Sequence, residues 1–141
     1  MRLSFITAVA ALVLAGGLAG AVDAARKPTP SERAAVTLAV IEAVPHVKGL
    51  AALFLLRRVV VSTVKPGASS TFSSFAAAFG VGKDQSGLYA PGSRIVLVGL
   101  HRRTRNWIAV DYGMSRVGCH EPQSFFGGRR VAILRDLGLR C

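Results

Sequence analysis

The apolar and polar positions divide the chain into segments of different period. Residues 3–18 are apolar apart from Ser4, Thr7 and two glycines, and the run closes at Val22-Asp23-Ala24. From Ser31 a helical period begins. Ser31 can cap the first turn, Glu32 suits the positive end of the helix dipole, and Val36, Val40, Ile41 and Val44 share one face until Pro45. Ahead of it, 26–30 reads as a mobile, basic, proline-containing lead. A second helix is expected over 47–56 in spite of Gly49, and 57–64 turns strand-like through Val59, Val60, Val61 and Val64. Lys65-Pro66-Gly67 marks a turn. Phe72, Phe75 and Phe79 recur at i, i+3 and i+7, which predicts a short helix with a core-facing aromatic stripe. The glycines of 80–87 read as a loop whose spacing is not that of a phosphate-binding turn.

The best-defined unit follows. Ile95, Val96, Leu97 and Val98 predict one strand, and four apolar residues in a row imply cover on both faces. Trp107, Ala109 and Asp111 alternate with Ile108, Val110 and Tyr112 in its hairpin partner. A last helix is expected from Phe125 or Phe126 to Leu137, capped by Ser124, with Val131, Ile133, Leu134 and Leu137 inward. Gly138 then supplies the left-handed residue of a Schellman ending, with Leu139 packing back. The predicted fold is α+β: a short antiparallel sheet centred on a 94–112 hairpin, packed by N-terminal helices and a C-terminal helix. Residues 31–141 are expected to form a single domain.

The opening segment sets the context. Met1-Arg2, the apolar run and the small residues at its end are those of an export signal cleaved after Ala24. A retained anchor is the alternative, since the run approaches the ~20 residues of a membrane span. Its alanine and glycine content and the Val-Asp-Ala ending favour cleavage. Residues 49–56 are too short to span, and Arg57-Arg58 follow at once. With 51% hydrophobic residues the chain has the means to build a core.

Charge then narrows the partners. Eighteen Lys and Arg oppose seven Asp and Glu, for a net +11. Such a surface attracts polyanions, and export points away from nucleic acid toward anionic envelope components or acidic protein surfaces. Oxidising surroundings make Cys119 and Cys141 an expected disulfide, stapling the last helix to the sheet. The rival reading is a thiol enzyme using Cys119. His120 is adjacent, but neighbours in extended chain point apart, and His101 would have to be brought in by the fold. Cys119, His120, His101 and Glu121 match no strong metal spacing, and Asp84, Asp111, Glu121 and Asp136 are too scattered for an acid–base pair. Asp111 is expected to pair with an arginine, and His46 to be structural. No catalytic residue, metal or cofactor is assigned.

The candidate binding residues are Arg102, Arg103 and Arg105 at the hairpin turn, followed by Trp107. Arginine forks suit carboxylate and phosphate, and a tryptophan can stack on a ligand or anchor the core; both readings stay open. Arg129-Arg130 opens the last helix, where an anion would be welcome.

Gly92, the strand 95–98, Trp107, Val110, Tyr112 and Val117-Gly118 together resemble the bacterial Src homology three-like domains of cell-envelope proteins. The resemblance covers about thirty residues and departs at Cys119, where those domains usually carry an aromatic residue. It implies a small β-barrel and binding of peptidoglycan or its peptides. The function expected is therefore a non-catalytic, exported envelope protein that binds an anionic or wall-derived partner through the basic turn. An interaction or inhibitor protein for an acidic target is the alternative.

Overall fold

The computed structural model describes residues 24–43, 54–82 and 94–141. The export segment before Ala24, residues 47–53 of the expected second helix, Val44, Pro45, His46, Asp84, Gly92 and most of the 80–87 loop lie outside them.

Helix α1 spans Pro30–Ala43. Its start is a capping box: the Glu32 amide donates to Thr29 Oγ1 at 3.2 Å, and the Thr29 amide donates back to the Glu32 carboxylate at 2.8 Å. Thr29, not Ser31, is therefore the cap, with Pro30 at the first helical position, where its missing N–H costs nothing. The buried stripe is Val36, Ala39 and Val40, whereas Ile41 is 59% exposed. The 26–30 lead is also tied down. Arg26 and Val61 exchange two backbone hydrogen bonds of 2.8 and 2.9 Å, and the Arg26 guanidinium grips Glu32 at 2.6 Å.

Four strands follow in an antiparallel meander, ordered β1-β2-β3-β4: β1 is Phe54–Val61, β2 Phe72–Gly82, β3 Arg94–His101 and β4 Trp107–Gly113. Residues 54–56, expected at the end of a helix, open β1 instead, paired with the last residues of β2. The 94–112 hairpin is present as expected. The aromatic stripe, however, lies on a strand. Phe75, Ala77 and Phe79 alternate onto one face with the period of two. Phe72 joins them because the register shifts between Phe72 and Ser74, so that a bulge absorbs one residue. A bulged strand thus imitates helical spacing. Ala76, Ala77 and Ala78 are fully buried at its centre, where the sheet takes their backbone hydrogen bonds and overrides alanine's helix propensity.

The sheet is covered on both faces. Under α1 lie Val59, Val61, Ala76, Ala78, Val96 and Val98, with Trp107, Ala109 and Tyr112 at the margin. The other face is larger-grained: Phe72, Phe75, Ala77 and Leu97 pack against Val117, Phe126, Ile133, Leu134, Leu137 and Leu139. Those last residues belong to a C-terminal unit. The expected single helix is broken in two, a 3₁₀ turn at Gln123–Phe126 and helix α2 at Arg130–Asp136. Gly127 and Gly128, both left-handed at φ 58° and 82°, separate them. Ser124 consequently sits inside the 3₁₀ turn, and Val131 points outward at 58% exposure. The Schellman ending is present: Leu139 N–H reaches Leu134 O at 2.8 Å and Gly138 N–H reaches Arg135 O at 3.0 Å, with Gly138 at φ 77°. Cys119 and Cys141 are joined, S–S 2.07 Å, across 22 residues.

Candidate functional site

The β3–β4 turn is built by backbone hydrogen bonds. His101 N–H donates to Asn106 O and Arg105 N–H to His101 O, each at 2.9 Å. His101 Nδ1 accepts the Thr104 amide, and its ring meets the Phe72 ring edge to face, so this histidine serves the turn and not a sulfur. Closing the turn places Arg105 at φ 60°, a left-handed conformation that a long side chain adopts at a cost.

The six candidate binding residues fall into groups according to their partners. Arg102 leans back onto the 65–70 loop, donating to Ser70 O at 2.8 Å and Gly67 O at 3.4 Å. Arg129 grips the same loop from the other side through Lys65 O at 3.0 Å. Arg130 donates to the Glu121 main-chain oxygen at 2.8 Å. These three guanidinium groups hold loops together, and the Arg129-Arg130 pair splits between two loops instead of opening one anion site. The loop they hold is tight. A Cβ on Gly67 would come within 2.2 Å of Gly127 O, and Ser70 Oγ donates to Phe125 O. Arg103 and Arg105 differ. Both are exposed, and among the described residues no hydrogen-bond acceptor or carboxylate reaches either side chain.

Trp107 is half-buried. It packs on the margin of the α1-side core and also lines a cleft, so it is anchor and wall at once. That cleft, of about 680 Å³, runs between α1 and β4. Leu38, Val40, Trp107, Ile108 and Tyr112 form much of it, with Arg105 at the turn and Glu42 and Asp111 elsewhere in its wall. Leu38 and Ile108 are respectively 56% and 43% exposed. The cleft was foreshadowed only by Leu38 falling off the buried stripe of α1.

The carboxylates take structural roles. Asp111 accepts the Gly118 amide at 2.7 Å and the Tyr112 amide at 2.8 Å instead of pairing with an arginine. Asp136, buried at the end of α2, accepts from Ser62 Oγ at 2.8 Å and Thr63 N at 2.7 Å, tying the helix to the end of β1. No pattern linked residues 74 positions apart in the sequence. Burial, aided by the nearby Asp111 charge, pushes the Glu121 carboxyl upward. The Arg26 guanidinium pulls Glu32 the other way, to about 2. Cys119 is bonded to Cys141, so its sulfur is not a free nucleophile in this state. Among the described residues no three His, Cys, Asp or Glu side chains cluster as a metal site would need, and no helix is long and apolar enough to cross a membrane.

No family model, curated protein or solved structure matches the chain.

Proposed function

We propose that this is an exported, non-catalytic protein of the cell envelope that binds an anionic or wall-derived partner through the β3–β4 turn. One observation carries the reading. Arg103 and Arg105 stand exposed and without a carboxylate on the turn, and Arg105 is held there at left-handed φ, where glycine or asparagine would be cheaper. Of the candidate arginines, Arg102, Arg129 and Arg130 find carbonyl acceptors within the fold, whereas Arg103 and Arg105 carry charge that the fold itself does not use. Trp107 beside them offers a flat apolar surface. The disulfide and the net charge of +11 suit an oxidising compartment rich in anionic polymers.

Sedimentation with isolated cell wall and with polyphosphate, across a salt series, tests this. Binding should weaken steeply with salt, as counterion release requires. Replacing Arg103 and Arg105 by glutamate should abolish it, and absence of binding at low salt overturns the proposal. Arg105→Gly separates function from folding. It should lower affinity while leaving stability unchanged or raised by up to about 1 kcal/mol, because glycine accepts the left-handed position without strain.

A further inference from the structure

The backbone singles out two arginines. Among the described residues only Arg105 and Arg116 take a left-handed φ without being glycine, at 60° and 55°. They stand in the turns on either side of β4, and strain of this kind clusters at functional positions. Arg116 belongs to no candidate set drawn from the sequence. It is exposed, and the sole ion pair among the described residues is Arg26–Glu32, so neither Asp111 nor Glu121 neutralises it. Other cations gather beside it. The Arg116 main-chain oxygen accepts the Cys119 amide at 3.2 Å, and Cys119 is bonded to Cys141. A pocket of about 430 Å³ opens on that disulfide, with Arg130, Arg135 and Arg140 in its wall and Leu134 and Leu139 beside them. Its size falls within the ~300–1,000 Å³ of ligand clefts. Arg130 is engaged by the Glu121 main-chain oxygen at 2.8 Å. Arg135 and Arg140 are exposed, and no described acceptor or carboxylate reaches either side chain. The chemistry is also uniform: residues 94–141 contain no lysine, so every permanent cation there is an arginine. Guanidinium forks pair bidentately with phosphate, a match that charge kept for solubility alone does not require.

We propose that Arg116, Arg135 and Arg140 form a second anion-binding site, which takes phosphate groups of a linear polyanion. Seven strand residues at roughly 3.3 Å each put about 20 Å between the turn that holds Arg105 and the turn that holds Arg116. A short anion fills one site. A long phosphate chain reaches both and gains avidity without any further contact. An acidic protein would have to match shape at both ends of β4, whereas a flexible chain needs only repeated charge. The second site stands apart from the β3–β4 turn, and only the two-point contact rests on the proposed function.

Triphosphate is the short probe and long-chain polyphosphate the long one. Triphosphate should shift the amide resonances of Arg116, Cys119 and Arg140 saturably, and should still do so in the Arg103→Glu, Arg105→Glu variant. Combining Arg116→Gly, Arg135→Gln and Arg140→Gln should abolish those shifts. Glycine suits the left-handed position and the other two side chains are exposed, so thermal melts should show this variant folded. Lysine at all three positions keeps the charge but removes the forks, and should weaken triphosphate binding about tenfold. Lys27→Gln, Arg33→Gln and Arg57→Gln together remove the same charge from exposed positions elsewhere and should leave the shifts unchanged. Polyphosphate should bind the parent about a hundredfold tighter than it binds the site variant. Absence of the shifts, an equal loss in the charge-matched control, full binding by the lysine variant, or polyphosphate binding unchanged by the site variant overturns the inference. So does a stronger response to polyglutamate or to anionic vesicles than to polyphosphate. Turn binding that fails while these shifts persist overturns only the proposed function, and the reverse pattern overturns only this inference.

Discussion

The two faces of the sheet are covered by different means. On the C-terminal side the cover is cross-linked at every level. Phe75 stacks on Phe126 with centroids 4.7 Å apart, Asp136 ties α2 to β1, Arg102 and Arg129 clamp the 65–70 loop, and a disulfide closes the chain end. On the other side α1 lies over valines and alanines, held by small apolar contacts and, at its start, by the Arg26–Glu32 pair. Large rings and a covalent closure hold the C-terminal cover to the sheet. A helix over small side chains leaves a margin, and at β4 that margin is the cleft. The C-terminal face is therefore the more heavily cross-linked of the two, and the α1 face is the one that carries the cleft.

That contrast can be broken from its stronger side first. Phe75→Ala removes a fully buried ring from the aromatic stack and should cost about 3–5 kcal/mol, whereas Val36→Ala on the buried stripe of α1 should cost only about 2 kcal/mol. Chemical denaturation of both variants reads the difference, and equal losses would show that the two faces contribute alike. Since domains hold only about 5–15 kcal/mol in total, the phenylalanine variant should lose a large share of its stability.

Opening the disulfide should come next. The Cys119→Ser, Cys141→Ser variant should lose about 3 kcal/mol, the loop-closure value for a segment of this length. Thermal melts of the parent and the double variant measure it. A loss well below about 1 kcal/mol would show that α2 is held by Asp136 and the apolar contacts alone.

The smallest effect sharpens the α1 side. Arg26 holds the Glu32 carboxyl at about 2 when folded, well below its ordinary value of 4.5. A depressed carboxyl stabilises the fold above its unfolded value, and that contribution is lost as pH falls through the folded one. Glu32→Gln should therefore cost about 1 kcal/mol at neutral pH, the scale of a helix cap and a partly exposed ion pair. The gap between parent and variant should close as pH drops from about 4.5 to below about 2. A gap that persists in acid would assign the effect to packing instead.

How far the sequence was legible depends on where each element draws its stability. The outer strand of the β3–β4 hairpin alternates, so the pattern alone places Trp107 and Ala109 on one face. Tyr112 was expected on the opposite face, and the extra residue at the β3–β4 bulge carries it over to theirs. The Schellman ending at Gly138 is a local device and was readable as it stands. Strand β2 was not. It lies between β1 and β3 with both faces covered, which removes the alternation that marks a strand, and its bulge leaves phenylalanines at helical spacing. The capping box at Thr29 was hidden by a second hydroxyl two residues on. Of the candidate site, all the turn arginines were visible as charge, but nothing in their spacing separates Arg102 from Arg103 and Arg105.

Residue pattern was sufficient for the pieces whose causes are local: the hairpin, the Schellman ending and the pairing of two lone cysteines. The remainder required distant segments to converge. Convergence made β2 a strand, because a central position in a doubly covered sheet satisfies backbone groups that a helix would satisfy differently. It also sorted the arginines, because a guanidinium is free or engaged according to which carbonyl oxygens the fold brings within reach. Arg102 and Arg129 meet the 65–70 loop only after hairpin, loop and C-terminal unit have packed together, and Arg103 and Arg105 are left facing solvent, Arg105 at the edge of the cleft.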